Sequence, residues 1–465
     1  MNKEKLLLKN TAIVTIGKIC TQLITFFLLP IYTAVLTTEE YGVVDLLNTL
    51  VSLFIPIVTL QIEQGIFRFL VDCRGNNEET KKTISTVILL VTTQLMIYLV
   101  VFLVASFFIH NPYKYFLVCN LVVAVYSTIL LQICRGLGDN TKYAIGSFIT
   151  GVCTVILNII LIVAFRLGAY GMLIATFLGN FICILYILFS KKIYQWISIP
   201  KYDKEKRKQI LKFSLPLVPN IISWWVVNTS DRSLITYFLG IGINGIYATA
   251  AKFSGVLTTL YTVFNLTWTE SASVNIEAED RDIFFSKILD IVLRIFGTFI
   301  IGVIAVLPFV FSILVKNKFR DSYYQIPILL VGSMFSILVS FIGSIYVAKK
   351  VTKEVAKTSI LAAVINILIN VILIKKIGLY AASISTLIAY MTMFIYRAID
   401  TRKYVKLTVK PWLVIHVLVM LGIACTSYYL RNTYLHIIVL LAVVIDAFFT
   451  NQKSIKFIKN SLIKN

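Results

Sequence analysis

Apolar runs long enough to cross a lipid bilayer recur from one end of the chain to the other, and this repetition limits what it can fold into. Fourteen runs, separated by short breaks carrying Gly, Pro, Asn or charge, lie at about 11–36, 42–70, 83–109, 115–137, 143–165, 170–190, 211–239, 245–271, 284–314, 325–347, 355–374, 379–397, 411–430 and 434–450. Hydrocarbon offers no partner to a free backbone amide, so each run must close its own hydrogen bonds as a helix of about 20 residues. Over 465 residues this leaves no room for a large soluble domain. Composition agrees: 58% of residues are hydrophobic and 14% charged, against about 45–50% and 25% in soluble domains. The expected fold is an all-α integral membrane protein with about 14 transmembrane helices.

Charge sets the topology. The chain carries 44 Lys and Arg against 22 Asp and Glu, a formal net charge of +22. Such a balance first suggests nucleic acid, but basic residues that alternate with apolar runs follow the positive-inside rule instead, so no nucleic-acid partner is expected. With the N-terminus inside, inner segments hold 31 basic residues, outer loops 8 and spans 5. That split predicts cytoplasmic N- and C-termini. Lys3, Lys5 and Lys9 precede the first run as in a signal peptide, but Thr11–Leu36 is too long and lacks a small-residue cleavage site, so an uncleaved first span is expected. The seven cysteines include no CxxC pair and read as small buried hydrophobes, with no metal or cofactor to hold.

The longest break, Lys191 to Lys212, has eight basic residues, two acids, Pro200, Tyr194 and Trp196. It reads as a linker lying on the anionic inner leaflet, and it divides the first twelve spans into two sixes. A repeat supports the division. LNIILIVAFRLGAYGMLIAT from 157 resembles INILINVILIKKIGLYAASIST from 365, placing Asn158, Gly168 and Tyr170 opposite Asn370, Gly378 and Tyr380. LTTEEYG ending at Gly42 likewise matches LGIGING ending at Gly245. The expected organisation is a six-helix lobe over 1–190, a basic linker over 191–210, a second six-helix lobe over 211–397, and two extra helices with a basic tail over 398–465. Six being even, the halves share orientation, as parallel repeats of a transporter with its path between the lobes.

Enzyme signatures are missing. His110, His416 and His436 show no HExxH spacing, and no phosphate-binding GxxxxGK[ST] occurs. Gly240-Ile-Gly242-Ile-Asn-Gly245 matches GxGxxG, but joins two spans instead of a strand and a helix. Ionisable residues within spans are the better guide, because each is costly in hydrocarbon and turns toward protein. Five are basic: Lys18, Arg68, Arg232, Lys252 and Arg294. The evident internal acids are three: Glu63, Asp231 and Asp290. Lys18, Arg68 and Lys252 sit close enough to span ends to snorkel. Asp290 and Arg294, four apart, suit a self-neutralising pair, and Asp231 suits an anchor for Lys252 or Arg68. Gln61, Gln64 and Arg68 fall on one helical face. The surplus of bases predicts a cationic cavity for an anionic substrate. Asn158, Asn366 and Asn370 either line the path or bond helices together.

Several segments resemble a known family. IYTAVLTTEEYGVVDLL (31–47), RGLGDNTKYAIGS (135–147), DRSLITYFLGIGINGIYATAAK (231–252) and the Asn158 and Asn370 segments are similar to bacterial polysaccharide-export flippases of the Wzx type. These belong to the multidrug/oligosaccharidyl-lipid/polysaccharide exporter superfamily. The most specific stretch is Asp231, Arg232, Leu239, Gly240, Gly245, Tyr247 and Lys252. The resemblance implies two six-helix lobes in a V, alternating access, and a polyprenyl-pyrophosphate-linked oligosaccharide cargo in the bacterial cytoplasmic membrane. By the resemblance Arg232 and Lys252 would meet the pyrophosphate and acidic sugars; Lys18, Arg68 and Arg294 are added from their place within spans. With no nucleotide site, a proton or sodium gradient is the expected drive, with Asp231 and Glu63 as candidate ion sites. A polysaccharide polymerase and a chain-length regulator are the partners the family implies. The competing readings are a multidrug or other lipid antiporter on the same fold, for which lone internal acids would be expected, and a polysaccharide polymerase or ligase, for which a large external loop would be expected.

Overall fold

The computed structural model describes residues 26–463 apart from 109, 199 and 200, with the side chains of 266, 352 and 451–463 also outside the description. Among the described residues every regular element is helical: α1 (Leu29–Val35), α2 (Thr38–Thr59), α3 (Ile62–Asp72), α4 (Asn77–Ser106), α5 (Lys114–Gly136), α6 (Asn140–Ile159), α7 (Gly168–Ser190), α8 (Lys204–Ser214), α9 (Val218–Leu239), α10 (Ile241–Asn275), α11 (Arg281–Leu314), α12 (Ile326–Ala348), α13 (Thr352–Ile377), α14 (Tyr380–Asp400), α15 (Pro411–Leu430) and α16 (Thr433–Ile463). Twelve helices among these residues are long and apolar enough to cross a membrane. Two of the fourteen runs are not among these twelve, for separate reasons. Most of the first run lies outside the described residues. The eighth run forms α10, whose 35 residues extend about 50 Å at 1.5 Å each, but Asn244, Thr249, Lys252, Ser254, Thr258 and Thr259 make it too polar to qualify.

The second run is also not one helix. Leu60 and Gln61 adopt left-handed backbone, at φ 51° and 60°, and separate α2 from α3. Glu63 spans the break: Thr59 Oγ1 donates to one carboxylate oxygen at 2.7 Å and Gln61 Nε2 to the other at 2.9 Å. These side-chain bonds bridge the interruption and give both oxygens of the buried carboxylate a donor. The expected common face of Gln61, Gln64 and Arg68 is therefore absent, because Gln61 precedes the helix that carries the other two.

The chain divides into two compact units, one ending at Ala248 and the other beginning at Thr249. In the first, α6 and α7 form a tight hairpin, α7 packs on α5, and α5 packs on α2 and α3. Its core is aliphatic, with Ile66, Leu70, Ile84, Val125, Ile129 and Ile187 fully buried. In the second, α14 packs on α12 and α13, while α15 and α16 both pack on α11. The repeat survives as conformation. Gly168 opens α7 at φ +53° and its counterpart Gly378 precedes α14 at φ +58°, a left-handed turn that costs glycine little.

Arg397, counted by the sequence among the inner basic residues, is 1% exposed in the second unit. Its guanidinium donates to Val339 O at 3.0 Å and twice to Thr358 Oγ1, at 2.8 and 3.0 Å. It lies against Gly343, where a Cβ would overlap the guanidinium. It ties α14 to α12 and α13 through carbonyl and hydroxyl oxygens.

The linker is folded against α4. Lys201 pairs with Glu78, Lys206 with Glu79 at 2.9 Å, and Asp203 with Lys82 at 3.4 Å. Asp203 also caps α8, accepting from the backbone N–H of Lys206 and Glu205. The Lys206 amide above all, helped by the Glu205 amide and Lys82 against a smaller effect of burial, holds the Asp203 carboxyl below the usual carboxylate range. A depressed carboxyl contributes stability above its unfolded-state pKa and loses it as pH falls through the folded value. Protection factors of residues 201–206, each taken against the intrinsic exchange rate at the same pH, are therefore expected to be high at neutral pH and to fall as pH drops below the ordinary carboxylate range; Asp203→Ala, which removes the cap, should show low protection at both.

Candidate functional site

The site is built where α2 meets the end of α9 and the start of α10, all within the first unit. α2 begins with a capping box: the Glu40 N–H donates to Thr37 Oγ1 at 3.1 Å, and the Thr37 N–H donates to the Glu40 carboxylate at 2.9 Å. Gly42 lies one turn in. α9 ends at Gly240, φ +99°, and Gly245 lies one turn into α10. A Cβ on Gly42 would overlap Ile241 O, and a Cβ on Gly245 would overlap Thr38 O. The relation is reciprocal, each glycine meeting the carbonyl four residues before the other, as expected of two repeat-related segments packed on each other. Asn244 Nδ2 adds a hydrogen bond to Gly42 O at 3.0 Å.

Backbones this close force the next side chains together. Arg232 Nε lies 2.7 Å from Asp45 Oδ2, with the two side chains only 17% and 16% exposed. The neighbouring Asp231, 1% exposed, accepts from Tyr247 Oη at 3.0 Å. Further along the same crossing, Trp225 Nε1 donates to Ser52 Oγ at 3.0 Å and to Thr49 O at 3.2 Å. The result is a buried group of two carboxylates and one guanidinium under two tyrosines, Tyr41 and Tyr247, each 3% exposed.

Asp45 is the residue that sequence reasoning passed over. It lies inside the second run, in Tyr-Gly-Val-Val-Asp, and as a lone acid three residues after a matched glycine it carried the same signal as Asp231. Counting it brings the internal charges from five bases and three acids to five and four. Asp231 and Arg232 do not pair with each other, as their 100° separation requires, and Asp231 bonds Tyr247.

Lys252 is half-buried, five residues beyond Tyr247 on α10. Arg68 pairs with Asp72 at 2.5 Å, both side chains more than half exposed. Arg294 donates to Thr450 O at 3.3 Å, and among the described residues no ion pair joins it to Asp290, because the guanidinium is turned toward α16. Glu63 is buried in its break. Lys18 lies outside the described residues. Asn158 Nδ2 donates to Tyr32 Oη at 3.0 Å, and Asn366 Nδ2 to Thr386 Oγ1 at 3.2 Å. Asn370 is fully buried. Asn158 and Asn366 thus bond one helix to another. Among the described residues no cluster of three His, Cys, Asp or Glu is placed to hold a metal.

Two outcomes follow for the crossing. Removing one member of a buried ion pair costs about 3–5 kcal/mol, while replacing both costs much less. Asp45→Asn and Arg232→Met are each expected to lower the thermal midpoint in detergent by several degrees, and the double variant to regain most of it; additive losses would contradict the pairing. Gly245→Ala should cost about 1–3 kcal/mol by overpacking, measured in the same way, whereas Gly422→Ala, whose added Cβ would have no neighbour within 4 Å, should leave the midpoint unchanged.

The comparisons with known proteins agree with this architecture. The family described as "Polysaccharide biosynthesis protein" matches residues 7–268. A multidrug resistance MATE family transporter of the MOP superfamily, solved in an inward-facing conformation, is similar with a TM-score of 0.70 at 13% identity, over 84% of this chain and 98% of that one. The lipid II flippase MurJ in an inward closed conformation has a TM-score of 0.68 at 16% identity, over 97% and 99%. A MATE family transporter in an outward-facing conformation has 0.56 at 13%, over 89% and 96%. No curated protein matches the sequence. The chain has the fold of these transporters and flippases, and with the match covering more than half its length it belongs to the polysaccharide biosynthesis protein family.

Proposed function

We propose that this protein is a flippase that moves a polyprenyl-pyrophosphate-linked oligosaccharide from the inner to the outer leaflet of a bacterial cytoplasmic membrane, for cell-surface polysaccharide such as O-antigen, capsule or exopolysaccharide. The observation that carries the reading is the buried Asp45–Arg232 pair, at the meeting of repeat-related helices, in a chain of the polysaccharide biosynthesis family. Flipping such a lipid means taking a pyrophosphate and several sugars past about 30 Å of hydrocarbon. A protein-lined route lets the head group pass while the polyprenyl tail stays in lipid.

In this reading two six-helix lobes, 1–190 and 211–397, alternate access, with 398–465 as two added helices and both termini cytoplasmic. Arg232 is the cation that meets the pyrophosphate. Because Asp45 already neutralises it, the head group enters by exchange, its oxygens replacing the carboxylate in a charge-assisted bond of the same kind. Arg232 is thereby kept neutral-paired when no cargo is present, which avoids a lone buried charge. Lys252 supplies the second positive charge. Asp231 and Glu63 take a proton or sodium ion from the gradient, and a polymerase and chain-length regulator consume the delivered unit.

One observation favours a second reading. A MATE family transporter is similar in fold over 84% of this chain, so a multidrug or other lipid antiporter on the same fold is the alternative.

Transbilayer movement of a fluorescent polyprenyl-pyrophosphate oligosaccharide in liposomes holding the purified protein tests both. The intact chain is expected to flip it, faster with an imposed proton or sodium gradient. Arg232→Ala/Lys252→Ala should slow flipping at least about tenfold while remaining folded, the scale expected for loss of charge-assisted contacts. Asp231→Asn should retain flipping and lose the gradient dependence. Gradient-driven efflux of a cationic dye with no movement of the glycolipid would establish the antiporter instead.

A further inference from the structure

The cations of the linker fall into two sets with different surroundings. Lys201 and Lys206 are taken up by Glu78 and Glu79 of α4. On the same side of α8 as Lys206, at spacings of four, Ile210 and Ser214 are fully buried. Asp203 caps the helix and pairs with Lys82, and its own N–H donates to Thr86 Oγ1 at 3.0 Å. Upstream, Ser85 Oγ donates to Trp196 O at 3.0 Å. The helix is thus fixed at one face and cannot rotate to hide the other.

The other face carries Lys204, Arg207, Lys208 and Lys212, all exposed. At 100° per residue they fall within one arc of about 140°, and none makes an ion pair among the described residues. Arg207 donates to Tyr202 Oη at 2.9 Å. Leu211 and Leu215 lie in the same arc, and Leu215 is 53% exposed. Glu205 at its margin is the one exposed acid of the helix. Directly after Ser214, Leu215-Pro216-Leu217 lead into α9, part of a candidate span. A rigid row of cations with apolar side chains among them, at the point where the chain enters hydrocarbon, matches a leaflet surface: phosphates for the cations and acyl chains for the leucines. The exposed ring of Tyr194, at 55%, is of the amphipathic kind that anchors at the membrane interface.

We infer that the outer face of α8, formed by Lys204, Arg207, Lys208 and Lys212, is a binding site for the headgroups of anionic phospholipid. The inference rests on the membrane-spanning fold and not on the cargo proposed above. The pairing with α4 sets its charge: of the six basic residues from 201 to 212 that the face could have shared, two are neutralised inward and four are directed at lipid. Since α8 continues through Pro216 into the helix bearing Arg232, the lipid charge is held at the foot of that helix.

The test uses the full chain in nanodiscs of phosphatidylcholine with roughly one quarter phosphatidylglycerol, with native mass spectrometry to count the lipids retained and hydrogen exchange over 204–215. The intact protein is expected to enrich phosphatidylglycerol about tenfold over phosphatidylcholine and to show slower exchange of α8 than in phosphatidylcholine alone. Both effects should vanish in K204Q/R207Q/K208Q/K212Q and at about 0.5 M salt, and persist in K204R/K208R/K212R. Equal enrichment in the glutamine variant would overturn the inference. So would displacement of phosphatidylglycerol by equimolar polyprenyl pyrophosphate, because the face would then be a docking site for cargo.

Discussion

Everything specific to this molecule's first unit depends on two backbones approaching where no side chain fits. Where a Cβ on Gly42 or Gly245 would stand, a backbone carbonyl of the other's segment already lies. Helices that meet through small residues in a membrane gain dispersion contacts where there is no hydrophobic drive to association. At this crossing the approach does more. It brings Asp45 and Arg232 to 2.7 Å, and it removes both charges from solvent together. Without the glycines the pair would be too far apart to compensate its own desolvation, and a lone guanidinium in a span is among the least tolerable groups in a bilayer.

A second principle governs how polar groups are handled elsewhere. Glu63 closes a helix break, Arg397 fills the gap beside Gly343, and Asn158 reaches Tyr32 across two helices. Glu63 and Arg397 are each buried with several polar partners, as hydrocarbon demands, and Asn158 with one. These are packing devices, distinct from the Asp231–Arg232 region, where charges of both signs adjoin.

The architecture was largely legible because its causes are local. Run length decided helix against strand, charge decided the topology expected, and the left-handed Gly168 and Gly378 preserve a repeat seen first as matched letters. What escaped required three dimensions. Asp45 stands among apolar neighbours and acquires its role only from Arg232, 187 positions away on another helix. The interruption at Leu60 and Gln61 carries no Gly or Pro at the break itself, and is bridged by side chains four and two residues from one another. Arg397 resembled any basic residue at a helix end until its burial showed otherwise. The contacts of Arg68 and Arg294 were not legible either: one is paired with Asp72 at an exposed helix end and the other bonds the Thr450 carbonyl.

The central claim is that Asp45 holds Arg232 in reserve for an anionic head group. Affinity of the purified chain for a water-soluble polyprenyl-pyrophosphate oligosaccharide analogue, measured for the intact protein and for Asp45→Asn, tests it most directly. Removing the competing carboxylate should tighten binding several-fold, with Arg232 still in place and the protein folded. Unchanged or weaker binding in a folded Asp45→Asn chain would contradict the exchange and return the pair to a purely structural role.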